Sequence, residues 1–139
     1  MKRFLLPIFL MLSIVGGPAK AQETQAIASA KAAASAWLAV VDSGRYAQSW
    51  DQGATLFQAG VAKDEWQSAV ANARSPLGAV KSRTLSSATF ARTLPGTPEG
   101  EYVVIQFETD FANKAAALET VTPMREKDGS WKVSGYFVK

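Results

Sequence analysis

The spacing of apolar residues predicts helices in the first half of the chain. Over residues 25–41, apolar side chains recur at steps of three and four, which indicates an amphipathic helix rich in alanine. Residues 45–59 repeat this spacing and predict a second helix, although Gly53 weakens the pattern. A third helix is predicted to end at Arg74, with Asp64 in its first turn, because these charges suit the helix dipole.

After Gly78 the pattern changes to the alternation of apolar and polar residues that is typical of β-strands. Residues 79–93 form the first predicted strand, and a shift in their apolar phase predicts a bulge near Ser86 and Ser87. The second strand follows a turn rich in proline and glycine. Its apolar face carries Val103, Ile105, Phe107 and Phe111.

The last part of the chain predicts a β-hairpin. Residues 114–126 and 130–138 have strand-like composition, and the Asp128-Gly129 pair between them is a strong turn signal. Alternation places Trp131, Val133 and Phe137 on one face of the last strand. The order of elements predicts an α+β domain in which three N-terminal helices pack on a curved, four-stranded antiparallel sheet.

The first 21 residues have the three parts of a secretory signal peptide. A basic start at Lys2 and Arg3 precedes the apolar residues 4–15 and a small-residue end, which predicts cleavage after Ala21. The apolar run is shorter than the roughly 20 residues that a membrane-spanning helix needs. We therefore expect a single domain over residues 22–139, periplasmic or secreted, without stable membrane insertion after cleavage. A retained N-terminal anchor is the alternative.

Composition argues against several classes of function. The predicted signal region holds three of the 15 basic residues, so the remaining ones balance the 12 acidic residues and offer no basic face for nucleic acid. The chain has no cysteine to form a disulfide, and no histidine, the commonest general base and metal ligand. We therefore expect no nucleic-acid partner, no metal site, no cofactor and no catalytic residues.

Six runs of residues have an order and spacing that are specific when taken together. They are residues 37–46 (WLAVVDSGRY), 49–51, 74–78, 81–83, 101–107 and 128–136 (DGSWKVSGY). In this order they resemble the bacterial domain-of-unknown-function family 4019, and the resemblance spans nearly all of the mature chain. It implies a small secreted domain of unassigned activity. The order of helices and sheet is also similar to the nuclear-transport-factor-two-like, or cystatin-like, roll, which hosts both enzymes and binding modules.

Glu119 is the acidic residue whose position is hardest to explain by solvent exposure. It lies mid-strand in the phase that carries Val121, and a carboxylate on a covered face must be paired or neutral. We expect Arg74 and Arg83 as its partners, because a guanidinium can hold a carboxylate with two parallel hydrogen bonds. Two interpretations stay open: a buried acid in a pocket, and a structural ion pair or exposed edge position.

Two tyrosines fall out of phase with the apolar faces of their strands. This places Tyr102 and Tyr136 on an exposed contact surface, whereas the other aromatic residues are interpreted as core. The candidate ligand-binding residues are therefore Arg74, Arg83, Tyr102, Glu119 and Tyr136.

Export, charge balance and aromatic content favour a non-enzymatic periplasmic module. It would bind a small molecule or an envelope protein through the cleft between helices and sheet or through the exposed sheet face. The alternative is an enzyme of the isomerase or dehydratase kind, with Glu119 as a buried base and Tyr102 or Tyr136 as a hydrogen-bond donor. A third hypothesis is a structural envelope protein or a homodimer formed through the open sheet face.

Overall fold

A computed structural model describes residues 17–139, in which four α-helices precede four strands. The helices are α1 (Pro18–Asp42), α2 (Tyr46–Asp51), α3 (Thr55–Gly60) and α4 (Lys63–Arg74), and a 3₁₀ helix (Ser75–Leu77) follows α4. The strands are β1 (Val80–Ala91), β2 (Tyr102–Phe111), β3 (Lys114–Arg125) and β4 (Trp131–Val138). The basic and apolar parts of the predicted signal peptide lie outside the described residues. Within residues 17–139, no helix combines the length and apolar character needed to cross a membrane.

Helix α1 begins earlier than the sequence pattern predicts. Pro18 lies in its first turn, where a missing N–H and a fixed φ are well tolerated. Residues 17–25 are exposed and burial starts at Ala26, so the apolar spacing marked only the packed part of the helix. The buried residues of α1 are Ala26, Ala30, Ala34, Trp37, Leu38, Val40 and Val41.

The second predicted helix is divided into α2 and α3. At the break, the backbone N–H of Ala54 donates to the carbonyl of Val133 at 2.8 Å, so this segment bonds to β4. A Cβ at Gly53 would lie 2.5 Å from the Phe57 ring, which leaves room only for glycine. The break therefore belongs to the packing of these helices on the sheet. Helix α4 ends at Arg74, as predicted.

The four strands form one antiparallel sheet in the order β1-β2-β3-β4, which confirms the predicted α+β class. The pairing of β1 with β2 shifts between Leu85 and Ser87, where the bulge was predicted. The turn between β3 and β4 closes with a 3.0 Å hydrogen bond from the N–H of Gly129 to the carbonyl of Glu126. Gly129 has φ +88°, the left-handed conformation that a three-residue hairpin loop requires at its last position.

A register shift between β3 and β4 changes the faces of β4. Val133 pairs with Pro123, but Gly135 already pairs with Thr122, so β4 has one extra residue at this point. Beyond the shift, Tyr136 and not Phe137 lies beside the buried Val121. The prediction that Phe137 shares a face with Val133 is therefore wrong, because the extra residue inverts the alternation. Phe137 is 52% exposed.

The core lies between the helices and one face of the sheet. The ring centroids of Trp37 and Trp66 lie 6.0 Å apart, and the rings of Phe57 and Trp66 form a T-shaped pair with centroids 4.8 Å apart. Ser49 satisfies both buried indoles, since its carbonyl accepts from Trp37 and its hydroxyl from Trp66, each at 2.9 Å. The sheet contributes buried residues that include Val103, Ile105, Val121 and Val133.

Candidate functional site

One end of the sheet carries a cluster of charged and hydroxyl side chains around Glu119. It lies where β1 and β3 begin, β2 and β4 end, and α1 and α4 reach their last turns. We call it the Glu119 cluster, and it consists of Asp42, Arg74, Arg83, Thr109, Glu119 and Tyr136.

Both carboxylate oxygens of Glu119 have partners, and the side chain is fully buried. Oε1 accepts hydrogen bonds from Nε of Arg83 at 2.8 Å and from the hydroxyl of Thr109 at 2.5 Å. Oε2 accepts one from the hydroxyl of Tyr136 at 2.5 Å and lies 3.9 Å from a guanidinium nitrogen of Arg74. The prediction that Arg74 and Arg83 are the partners of Glu119 is confirmed.

Asp42 joins the two arginines from the other side. Arg83 donates to both of its carboxylate oxygens, at 2.8 and 3.0 Å, and Arg74 donates to one of them at 2.7 Å. The parallel pair of hydrogen bonds expected at Glu119 is thus made at Asp42. Two guanidinium groups and two carboxylates balance, which is the condition for burying such charges.

The pKa values follow from this pairing. Burial alone would raise the pKa of Asp42, but hydrogen bonds and charge attraction from Arg83 and Arg74 hold it below the ordinary value of 3.8. Burial and the adjacent negative charge of Glu119 raise the pKa of Tyr136 well above its ordinary value of 10.0, so the phenol stays protonated and donates. At neutral pH, Asp42 and the two arginines are therefore charged, and the Tyr136 hydroxyl is a hydrogen-bond donor.

Asp42 and Thr109 are members that the sequence interpretation missed. Thr109 is in phase with Phe107 and Phe111 on the apolar face of β2, and that alternation could have placed it inside. Asp42 follows the last buried residue of α1, at a helix end where an acidic side chain is ordinary. Its pairing depends on Arg83, which lies 41 positions away along the chain.

Tyr102 does not belong to this cluster, and it is not exposed. It lies at the start of β2, at the opposite end of the sheet, and pairs with Met124. Its ring is 1% exposed, and its hydroxyl donates to the carbonyl of Pro98 at 2.7 Å. The predicted exposure of Tyr102 is wrong because the connection between β1 and β2 covers it. The predicted exposure of Tyr136 is also wrong, because the register shift in β4 turns the tyrosine toward Trp37, whose ring lies 5.3 Å away.

A polar cleft lies between α1 and the end of the sheet where Tyr102 is found. Its volume is about 490 Å³. We call it the α1 cleft, and its lining residues are Gln22, Gln25, Ala26, Ser29, Arg92, Glu101, Arg125, Gly129 and Trp131. A more open cavity of about 640 Å³ shares Arg92, Glu101 and Arg125 with it. Both cavities are lined by residues outside the Glu119 cluster.

The charges of the α1 cleft are held by the ends of three strands. Arg125 at the end of β3 donates to Glu101, just before β2, at 3.0 Å. Arg92 follows the last residue of β1, and its guanidinium lies over the Phe90 ring at 5.3 Å. The antiparallel order brings these three chain positions to one sheet end, which local sequence patterns do not indicate.

From residue 17 onward, no three or more acidic side chains gather in a way that could hold a metal ion. The arginines and amides of the α1 cleft are donors and suit an anionic or polar organic ligand.

Comparison with known families decides the affiliation of the chain. Residues 33–136 match the family described as "Protein of unknown function (DUF4019)". The chain belongs to this family. The match begins within α1 and ends at Tyr136, so it includes all six residues of the Glu119 cluster. The comparisons with curated proteins and with solved structures found no significant match, and the similarity to the cystatin-like roll stays a prediction.

Proposed function

We propose that this protein is an exported, non-enzymatic binding module of the cell envelope that holds a small polar ligand in the α1 cleft. The observation that carries the proposal is the cleft itself. It is a concave site of about 490 Å³, a size typical of small-molecule sites, with convergent arginine, glutamine and serine side chains beside Trp131.

Export is supported by the signal-like first 21 residues and by the burial pattern of α1. Cleavage after Ala21 would remove only exposed residues of this helix, because burial begins at Ala26. Gln22 and Gln25 would remain to line the cleft. The processed chain would therefore keep the whole binding site.

The alternative of a buried catalytic base receives less support from the geometry. A general base must lie within hydrogen-bond reach of the substrate proton that it abstracts. The oxygens of Glu119 already accept hydrogen bonds from Arg83, Thr109 and Tyr136, and neither described cavity reaches Glu119. The cluster is better suited to hold α1, α4 and the sheet together.

Export is tested by producing the full chain in a bacterium and measuring the intact mass of the protein in the periplasmic fraction. We expect a product that starts at Gln22. An uncut chain found only in the cytosol would contradict this part of the proposal.

Ligand binding is tested by filling the cleft. Ser29 lines it, whereas Ser35 is exposed on the same helix away from it, so Ser29→Phe and Ser35→Phe form a matched pair. We expect small polar compounds that raise the melting temperature of the wild type to do so equally in Ser35→Phe and not in Ser29→Phe. Stabilisation that survives Ser29→Phe would place the site elsewhere.

A further inference from the structure

Resting on the proposed function, we infer that the α1 cleft recognises an oxyanion, a carboxylate or phosphate group of the ligand, through Arg92 assisted by Arg125. The decisive feature is the state of the Arg92 guanidinium. Within residues 17–139, it has no ion pair and no side-chain hydrogen bond. It is one of the residues common to both cavities.

A cation–π contact with Phe90 positions the Arg92 guanidinium for an oxyanion. The guanidinium lies over the face of Phe90, and this arrangement leaves the N–H groups at its edge free to donate. A carboxylate or phosphate can accept two parallel hydrogen bonds from that edge. Because Phe90 already orients the side chain, less conformational entropy is lost when an anion binds.

The charge balance of the cleft favours an anion. Two guanidinium groups, of Arg92 and Arg125, face the single carboxylate of Glu101, so the lining carries one excess positive charge. Arg125 uses Nη1 for Glu101, and its side chain is 51% exposed. An oxyanion bound at Arg92 would thus meet a second cation nearby, and its other polar groups would face the glutamines of α1.

The test measures the chemical shift of the Trp131 indole N–H in ¹H–¹⁵N spectra. The sample is the protein as the producing cells process it, at low ionic strength. The Trp131→Phe variant assigns its signal. The probes are citrate, inorganic phosphate and the neutral sugar sucrose. We expect citrate or phosphate to shift the Trp131 signal saturably at millimolar concentrations while sucrose does not, and the stronger of the two anions identifies the headgroup.

The matched variants are Arg92→Gln and Arg45→Gln, which remove one positive charge each. Arg45 is exposed and lies beyond the other end of α1. We expect Arg92→Gln to weaken anion binding about tenfold or more, as for loss of a charged hydrogen bond, and Arg45→Gln to leave it unchanged. Equal weakening in both variants, or no shift with either anion, would overturn the inference. Sucrose binding at Trp131 without anion binding would overturn it too, yet would leave the proposed binding function standing.

Discussion

Glu119 illustrates how a buried charge becomes part of the fold. A carboxylate without exposure is stable only when its charge and its lone pairs are matched, and Arg83, Thr109 and Tyr136 match them here. Removing one member of such a set leaves a buried charge uncompensated. The stability lost in this way exceeds the net stability that the whole set contributes. Substitutions in the Glu119 cluster should therefore affect stability strongly.

We expect Glu119→Gln to lower the free energy of unfolding by about 3 kcal/mol, because two arginines would then share one carboxylate. The matched control is Glu108→Gln on the exposed face of the neighbouring strand, for which we expect a change within about 0.5 kcal/mol. Urea unfolding followed by circular dichroism measures both. Equal effects of the two substitutions would show that the buried charge is not structural.

The depressed pKa of Asp42 predicts the acid sensitivity of the fold. Since the folded protein holds this pKa below 3.8, the stabilisation is complete above that pH and is lost as the pH falls through the folded value. We expect Asp42→Asn to be less stable at neutral pH and to lose less additional stability below pH 3.8 than the wild type. Denaturant titrations over a pH series measure the free energy of unfolding of both proteins. If it fell equally steeply below pH 3.8 in wild type and in Asp42→Asn, the prediction would be contradicted.

The raised pKa of Tyr136 predicts that its phenol does not ionise in the folded protein. The folded protein keeps this proton above pH 10.0, where the unfolded chain releases it, so folding stability should fall as the pH rises beyond that value. We expect the absorbance of phenolate in native wild type and native Tyr136→Phe to rise identically up to the alkaline transition. In denaturant the wild type should show one more ionising tyrosine. A difference between the native curves near pH 10.0 would refute this assignment.

Residues could be predicted from the sequence where local alternation decides their position. Glu119 and its arginine partners followed from phase and charge, and the structure confirms them. Arg92 could not be predicted as a site residue, because its proposed role in the α1 cleft depends on where the strand ends meet in space. The burial of Tyr102 could not be predicted either, because it depends on the loop between β1 and β2 that folds over it.

At the scale of elements, close approaches decide where helices break and strands shift. The break between α2 and α3 is held by the hydrogen bond from Ala54 to Val133 and by the contact of Gly53 with Phe57. Helical spacing within residues 45–59 contains no information on the strand that this segment meets. The bulge in β1 was predictable because the apolar phase itself changes there, whereas the extra residue in β4 leaves no such mark.

Gly53→Ala should destabilise the protein by about 1–3 kcal/mol, because the new methyl group would overlap the buried Phe57 ring. Gly60→Ala, at the end of α3, is the control: a Cβ there meets open space, and we expect a change within about 0.5 kcal/mol. Thermal and urea unfolding measure the pair. Equal stability of both variants would mean that the α2–α3 break tolerates a side chain.

At the scale of the whole molecule, the two ends of the sheet have different characters. At one end the Glu119 cluster satisfies nearly all of its own polar groups, with Nε of Arg74 as the exception among its buried side-chain atoms. At the other end, the Arg92 guanidinium in the α1 cleft contacts the Phe90 ring but has no ion pair among the residues that the structure covers. Under the proposed function, the first end serves stability and the second serves ligand recognition.

Amide chemical-shift mapping tests this assignment most directly. The protein, purified as cells process it, is titrated with the small-molecule fraction of a periplasmic extract. The account predicts saturable shifts confined to residues 22–29, to Arg92 and Glu101, and to residues 125–131. Shifts centred on Asp42, Arg83 and Glu119, or on the exposed sheet face around Phe137, would contradict it.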